Sequence, residues 1–171
     1  ETLWACLQQE AENVPKADWL AEEAEFHEIF RADRTQRFVG RQQLLNDMLA
    51  FCQQQETPNV LVITGEPGSG KSTLMAEFAQ QYHGGLMISH FIGASPSSTN
   101  LRQSLKRINA QIDNRFGAVD SGSDDLNELI QGFSKRLEQI PPDHQLVILL
   151  DAVNQFEKVD NPQAMLWLPQ N

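Results

Sequence analysis

Apolar positions along this chain switch between a helical and a strand-like period, and the switches mark out its elements. The stretch from Glu1 to about Gln36 is helix-prone, with a break near Asn13-Val-Pro15. After the break, Trp19, Leu20, Ala24, Phe26, His27 and Phe30 fall on one helical stripe. Phe38-Val-Gly-Arg41 interrupts that period. Leu44, Leu45, Met48, Leu49 and Cys52 then predict a helix over 42–54, which Pro58 ends. Asn59-Val-Leu-Val-Ile-Thr64 is a short continuous apolar run rich in β-branched residues, the pattern of a buried parallel strand.

A glycine-rich turn follows, then a helix over 71–82 that Gly84-Gly85 stops. Leu86-Met-Ile-Ser-His-Phe-Ile92 predicts a second strand. The polar run Ser95–Asn100 contains an N-cap candidate, and Leu101, Leu105, Ile108 and Ile112 continue as a helical stripe. Residues 118–123 are loop-like. Leu126, Leu129, Ile130, Phe133 and Leu137 predict an amphipathic helix over 124–139, broken by Pro141-Pro142. Gln145-Leu-Val-Ile-Leu-Leu150 is a third buried strand, ending in Asp151. Strands alternating with helices imply βαβ units, a parallel sheet and an α/β fold.

Composition narrows the class. At 171 residues, 40% apolar and 21% charged, the chain has material for one ordinary globular core. No apolar run approaches the roughly 20 residues of a membrane helix, and no signal-peptide pattern opens the chain. The net charge of −10 argues against a general nucleic-acid binder, which needs a basic face for phosphates. The acids cluster before Phe30 and read as a solvated helix face. Cys6 and Cys52 are too few and too separated for a disulfide framework or a zinc site. They suit a reducing compartment, so a cytoplasmic location is expected. The chain opens on Glu1 and stops at Asn171 without a tail, and both ends read as cut from something longer.

One segment carries specific chemistry. Gly65-Glu66-Pro67-Gly68-Ser69-Gly70-Lys71-Ser72 satisfies G-x-x-x-x-G-K-[ST] between an apolar strand pattern and a helix pattern. A polyphosphate is a dense anion, held most readily by backbone N–H groups at a helix N-terminus. The three glycines let the chain turn back and approach phosphate with no Cβ in the way. Lys71 would reach the β- and γ-phosphates, Ser72 would complete a Mg²⁺ shell, and Thr73 extends the polar lip. A nucleoside triphosphate with Mg²⁺ is therefore the expected ligand. Asp151, at the end of the third strand, would hold the metal through a water, the Walker B role.

With the motifs taken in order, a resemblance becomes specific. Phe38-Val-Gly-Arg41, the phosphate loop, His90-Phe-Ile-Gly-Ala-Ser95 and Leu149-Leu-Asp-Ala-Val-Asn-Gln155 look like a signal-transduction NTPase of the STAND class. They are most similar to NACHT-like modules of nephrocystin-3-type and other tetratricopeptide- or WD-repeat proteins. The resemblance covers about Phe26 to Asn171. It implies a three-layer P-loop NTPase over 37–171 with a helical extension over 1–36. It also implies that Val39-Gly40-Arg41 lies over the base or ribose. Read alone, Arg41 is equally compatible with a surface arginine that starts a helix. His90 reads as a buried strand residue, since no Ser or Cys nucleophile pattern accompanies it.

Two departures from the family pattern follow. NACHT modules commonly carry acids shortly after the strand aspartate, where this chain has Asn154 and Gln155. A neutral amide orients water but takes no proton from it, so binding with slow hydrolysis is expected. The second departure is truncation. In this family the strand after Walker B inserts between the Walker A and Walker B strands, and Asn171 arrives before it. A strand-wide gap in the sheet is the expectation.

The leading functional expectation is an ATP-dependent regulatory switch within a larger protein, partnered through domains outside this stretch. A small-molecule P-loop kinase and a scaffold with structural nucleotide are the alternatives. ATP is favoured over GTP because no Asn-Lys-x-Asp guanine-reading segment appears.

Overall fold

The computed structural model describes residues 18–36, 38–54, 60–117 and 123–169. The expected break at Asn13–Pro15, Cys6, Pro58 and the loop over 118–122 lie outside them. Helix α1 (Trp19–Thr35) starts at Asp18, whose carboxylate accepts from the Ala21 amide at 3.2 Å. Helix α2 (Gln42–Cys52) follows a left-handed turn at Gly40 and Arg41. Helix α3 (Lys71–Gln81) leaves the phosphate loop through Gly70 at φ +82°, a conformation that favours glycine. Strand β1 (Leu86–Phe91), helix α4 (Leu101–Phe116), helix α5 (Leu126–Glu138) and strand β2 (Leu146–Asp151) complete the order, with short 3₁₀ turns at Val153–Gln155 and Pro162–Ala164. Asn100 and Asp125 cap α4 and α5 through their side-chain oxygens.

β1 and β2 pair in parallel, Leu86 opposite Leu146 through Phe91 opposite Asp151. Strand periodicity sends alternate side chains to opposite faces. Ile88, Ile148 and Leu150 join the core built on α4 and α5 with Leu105, Ile108, Ile112, Leu129 and Phe133. Phe91 and Leu149 join Leu45, Met48, Leu74 and Phe78 from α2 and α3.

Gln145 ties one end of this arrangement together. Its side-chain amide nitrogen donates to the Cys52 carbonyl, its amide oxygen accepts from Tyr82 Oη at 2.7 Å, and its carbonyl accepts from the Leu86 amide at 2.9 Å. A Cβ on Gly85 would sit 2.3 Å from that carbonyl, so only glycine permits the approach. The C-terminal end of α3 therefore lies at the start of β2. Leu74, in the first turn of α3, shares a core cluster with Phe91 and Leu149 from the later parts of β1 and β2.

The apolar run before the phosphate loop differs from expectation. Residues 60–64 form no strand, and Val60, Leu61 and Val62 are 73%, 45% and 73% exposed. A strand exists only where a neighbour takes its backbone groups. Among the described residues no third strand stands beside β2 to do so. The helical stripe of α1 also turns differently: Trp19 and Phe26 are exposed, while His27 is 3% exposed and faces the sheet.

His27 and His90 form a buried pair with ring centroids 4.8 Å apart. Burial, with Arg107 and His90 beside it, pushes His27 down to about 2; burial and Arg107 push His90 down to about 4. Glu23 from the same helix as His27 also faces the pair, its carboxylate 3.9 Å from His27 Nε2. Both rings are neutral in the fold, while the unfolded chain takes up protons near 6.5. Stability is fully present above that value and is lost as pH falls from 6.5 toward 4, then toward 2 for His27, by as much as about 1.4 kcal/mol per pH unit for each ring. Urea midpoints should fall between pH 7 and pH 5, and the slope should flatten in a His27→Gln/His90→Gln double variant. An equal slope in that variant contradicts the assignment.

Candidate functional site: the phosphate loop and the carboxyl end of the sheet

The loop is built from the inside outward. The Ser69 amide donates to the Glu66 carbonyl at 3.1 Å, and the Leu74 amide opens the helical ladder on the Gly70 carbonyl at 3.0 Å. Gly68 and Gly70 adopt left-handed backbone that turns the chain back on itself. Lys71 Nζ lies within this turn, donating to the carbonyls of Gly65 at 2.6 Å and Glu66 at 3.0 Å. The side chains of Glu66 and Pro67 are exposed, and Ser72 and Thr73 stand half-buried in the first turn of α3.

Arg41 reaches the same loop from outside. It is exposed and left-handed at φ 60°, and its Nη2 donates to the Ser69 carbonyl. Its Nη1 lies 3.5 Å from where a Cβ on Gly70 would sit. A left-handed non-glycine residue is strained and persists where surrounding contacts hold it. Here Arg41 both precedes α2 and fastens onto the loop.

At the carboxyl end of β2, Asp151 is 5% exposed, and its Oδ2 is buried with no hydrogen-bond partner. A buried carboxylate oxygen without a donor is costly unless a cation or water serves it. Ala152 follows in left-handed backbone, and Asn154 and Gln155 stand exposed on the 3₁₀ turn. The Ile92 amide donates to the Asp151 carbonyl at 3.2 Å, so the turns after β1 and β2 are adjacent. Gln155 Oε1 would lie 2.9 Å from a Cβ on Gly93.

The fold thus brings Arg41 onto residues 69–70, keeps Lys71 within the loop, and sets Gln155 against the turn after β1. His90 is 1% exposed, with Nε2 3.2 Å from the Ser98 carbonyl, a core position as expected. A cavity of about 690 Å³ between α1, the end of α3 and β1, lined by Arg31, Gln36, Tyr82, His83 and Ser89, contains none of the expected site residues. Sequence reasoning passed over Glu23, Gln145 and Arg107. Only Arg107 left a trace, as a charge within the amphipathic stripe of α4, where it is 4% exposed.

The AAA ATPase domain family matches residues 37–169. Mouse nephrocystin-3 is 34% identical over 116 residues, 63% of this chain and 8% of that protein. The human NACHT domain- and WD repeat-containing protein 1 is 30% identical over 167 residues, 90% of this chain and 10% of its own length. A TPR repeat-containing protein of Dictyostelium discoideum is 27% identical over 154 residues, 66% of this chain and 9% of that protein. No solved structure matches. The chain spans about a tenth or less of these relatives. Residues 37–171 make up 135 of the 171, so a match over 90% of the chain reaches back into α1. No helix among the described residues is long and apolar enough to cross a membrane. With its phosphate loop intact, the chain belongs to the AAA ATPase domain family, as a NACHT-like P-loop module whose relatives include proteins named for NACHT domains, WD repeats and TPR repeats.

Proposed function

We propose that this chain is the nucleotide-operated switch of a larger cytoplasmic protein, binding ATP with Mg²⁺ and hydrolysing it slowly. The observation that carries the reading is the partnerless Asp151 Oδ2 at the carboxyl end of β2, a strand whose Leu149 packs in one cluster with Leu74 from the first turn after the phosphate loop. In this reading the amides of 65–73 cradle the phosphates. Lys71 exchanges a loop carbonyl for a phosphate oxygen. Ser72 and Asp151 hold Mg²⁺, which when bound neutralises charge on the transferred phosphoryl group. Arg41, fastened to the loop's outer side, faces the base or ribose. Gln155 orients the attacking water without deprotonating it, which keeps turnover slow.

We assign the two cores on opposite faces of the parallel pair to a three-layer P-loop domain over 37–171 whose final strands follow Asn171. Val60, Leu61 and Val62, exposed and outside any strand, support that assignment. Repeats such as those in the relatives' names would read the nucleotide state, since a ligand shifts a two-state module only by its differential affinity.

Phosphate release with no added acceptor tests the enzyme reading, in a chain extended past Asn171. Gln155→Glu should raise the rate at least about tenfold, within the range general bases contribute. An unchanged rate rejects the water-orienting role. No release under any condition favours the structural-scaffold alternative.

A further inference from the structure

The turn after β1 is fastened on two sides. Within it, Ser98 Oγ accepts from the Gly93 amide at 2.9 Å and the Ser95 amide at 3.1 Å, and donates to the Ser95 carbonyl at 2.7 Å. On one side, α1 holds it. Glu23 accepts from Ser95 Oγ at 2.7 Å with one carboxylate oxygen and from the Ser97 hydroxyl with the other. One turn along the helix, His27 Nδ1 accepts the Phe91 amide at 3.1 Å, on the edge of β1 that faces away from β2. Phe30 stacks on Phe91 with centroids 5.0 Å apart. On the other side, the turn meets the segment after β2 through the Ile92 amide on the Asp151 carbonyl and through Gly93 beneath the Gln155 amide.

A solvated linker helix does not look like this. Ser95 is 5% exposed and Ser97 half-buried, so the carboxylate of Glu23 serves at least one hydroxyl already withdrawn from water. The contact also lies within the stretch that the human relative shares.

We propose that Glu23 is a positioning residue of the nucleotide site: from α1 it clamps the turn over 92–98 against which Gln155 rests, so the working unit includes α1 rather than beginning at Phe38. The inference rests on the hydrolytic reading given above and extends it. Loss of the clamp lets the turn, and with it the Gln155 amide, shift. A displacement of about 1 Å at a reacting group can cost on the order of 100-fold in rate. The phosphate loop shares no hydrogen bond with the clamp, so affinity is separable from rate.

In a chain extended past Asn171, Glu23→Ala should lower kcat for phosphate release at least about tenfold. The Kd for Mg–ATP should stay within about twofold, since the loop's donors are untouched. Glu23→Gln keeps the length and a bonding partner for each serine, and should restore most of kcat. Ser97→Ala removes one bond from the other side and should lower kcat in the same direction; it serves if Glu23→Ala fails to fold. Unchanged kcat in these variants, or kcat and affinity falling together, overturns the proposal. Lys71→Ala separates the two layers. If Lys71→Ala binds and turns over normally, the nucleotide reading itself fails. If it is inactive while Glu23→Ala matches the parent, only the clamp fails.

Discussion

Replacing Lys71 with alanine is expected to weaken Mg–ATP binding on the order of 100-fold, corresponding to about 3 kcal/mol for a lost charge-assisted contact. The ammonium is already inside the loop, held by the carbonyls of Gly65 and Glu66, so little ordering remains to be done when phosphate arrives. The effect on folding should be small by comparison. The two carbonyls belong to exposed residues, and water replaces the lost donor. Calorimetric titration with ATP and GTP, beside a thermal melt of the same variant, distinguishes the two effects. Lost affinity at an unchanged melting temperature is the expected pair. Undiminished affinity would remove the phosphate loop from the account. Lys71→Arg should not restore binding, because a planar guanidinium does not occupy the place of a compact ammonium.

The largest stability effect is expected far from the loop. Arg136 on α5 and Asp113 on α4 form a two-pronged ion pair, Nε and Nη2 each 2.7 Å from a carboxylate oxygen, with the side chains 1% and 13% exposed. Asp113→Ala should cost about 3 kcal/mol, the low end for breaking a buried ion pair, because it removes the carboxylate that accepts from two donors of a buried guanidinium. For a domain whose whole stability is about 5–15 kcal/mol, that approaches unfolding. Replacing both partners by apolar residues of similar volume, as in Asp113→Leu/Arg136→Met, should recover most of the loss, since the desolvation of both charges goes with them. Urea unfolding of the single and double variants measures this. A double variant as unstable as the single one would show that packing, rather than charge, sets the cost.

The spacing of apolar residues was enough to locate α2, α3, α4 and α5 to within a few residues, because each presents one wet and one dry face. β1 and β2 were also readable, since both are short runs dominated by apolar residues, as strands covered on both faces are. The residues before the loop show where that logic stops. Val60, Leu61 and Val62 carry the same apolar signal as β2, yet they stand in solvent without a ladder. Composition records that a segment can be buried as a strand; the neighbour that would complete it is a property of the assembled sheet.

The same division runs through the candidate site. The residue types that suit phosphate and a divalent cation, from Gly65 to Thr73 and at Asp151, follow from local chemistry at fixed spacing, and sequence alone determined them. Which groups lean on them did not follow. Glu23 and the serines at 95 and 97 are more than 70 positions apart, Gln145 joins the ends of two helices far earlier in the chain, and Arg41 closes onto Ser69 across 28 residues. A hydrogen bond depends on direction and distance between groups that packing brings together, and no local period encodes either. For that reason the phosphate-loop motif can be read in the order of residues, while the contacts of Glu23 with Ser95 and Ser97 exist only once α1 and the turn after β1 have met.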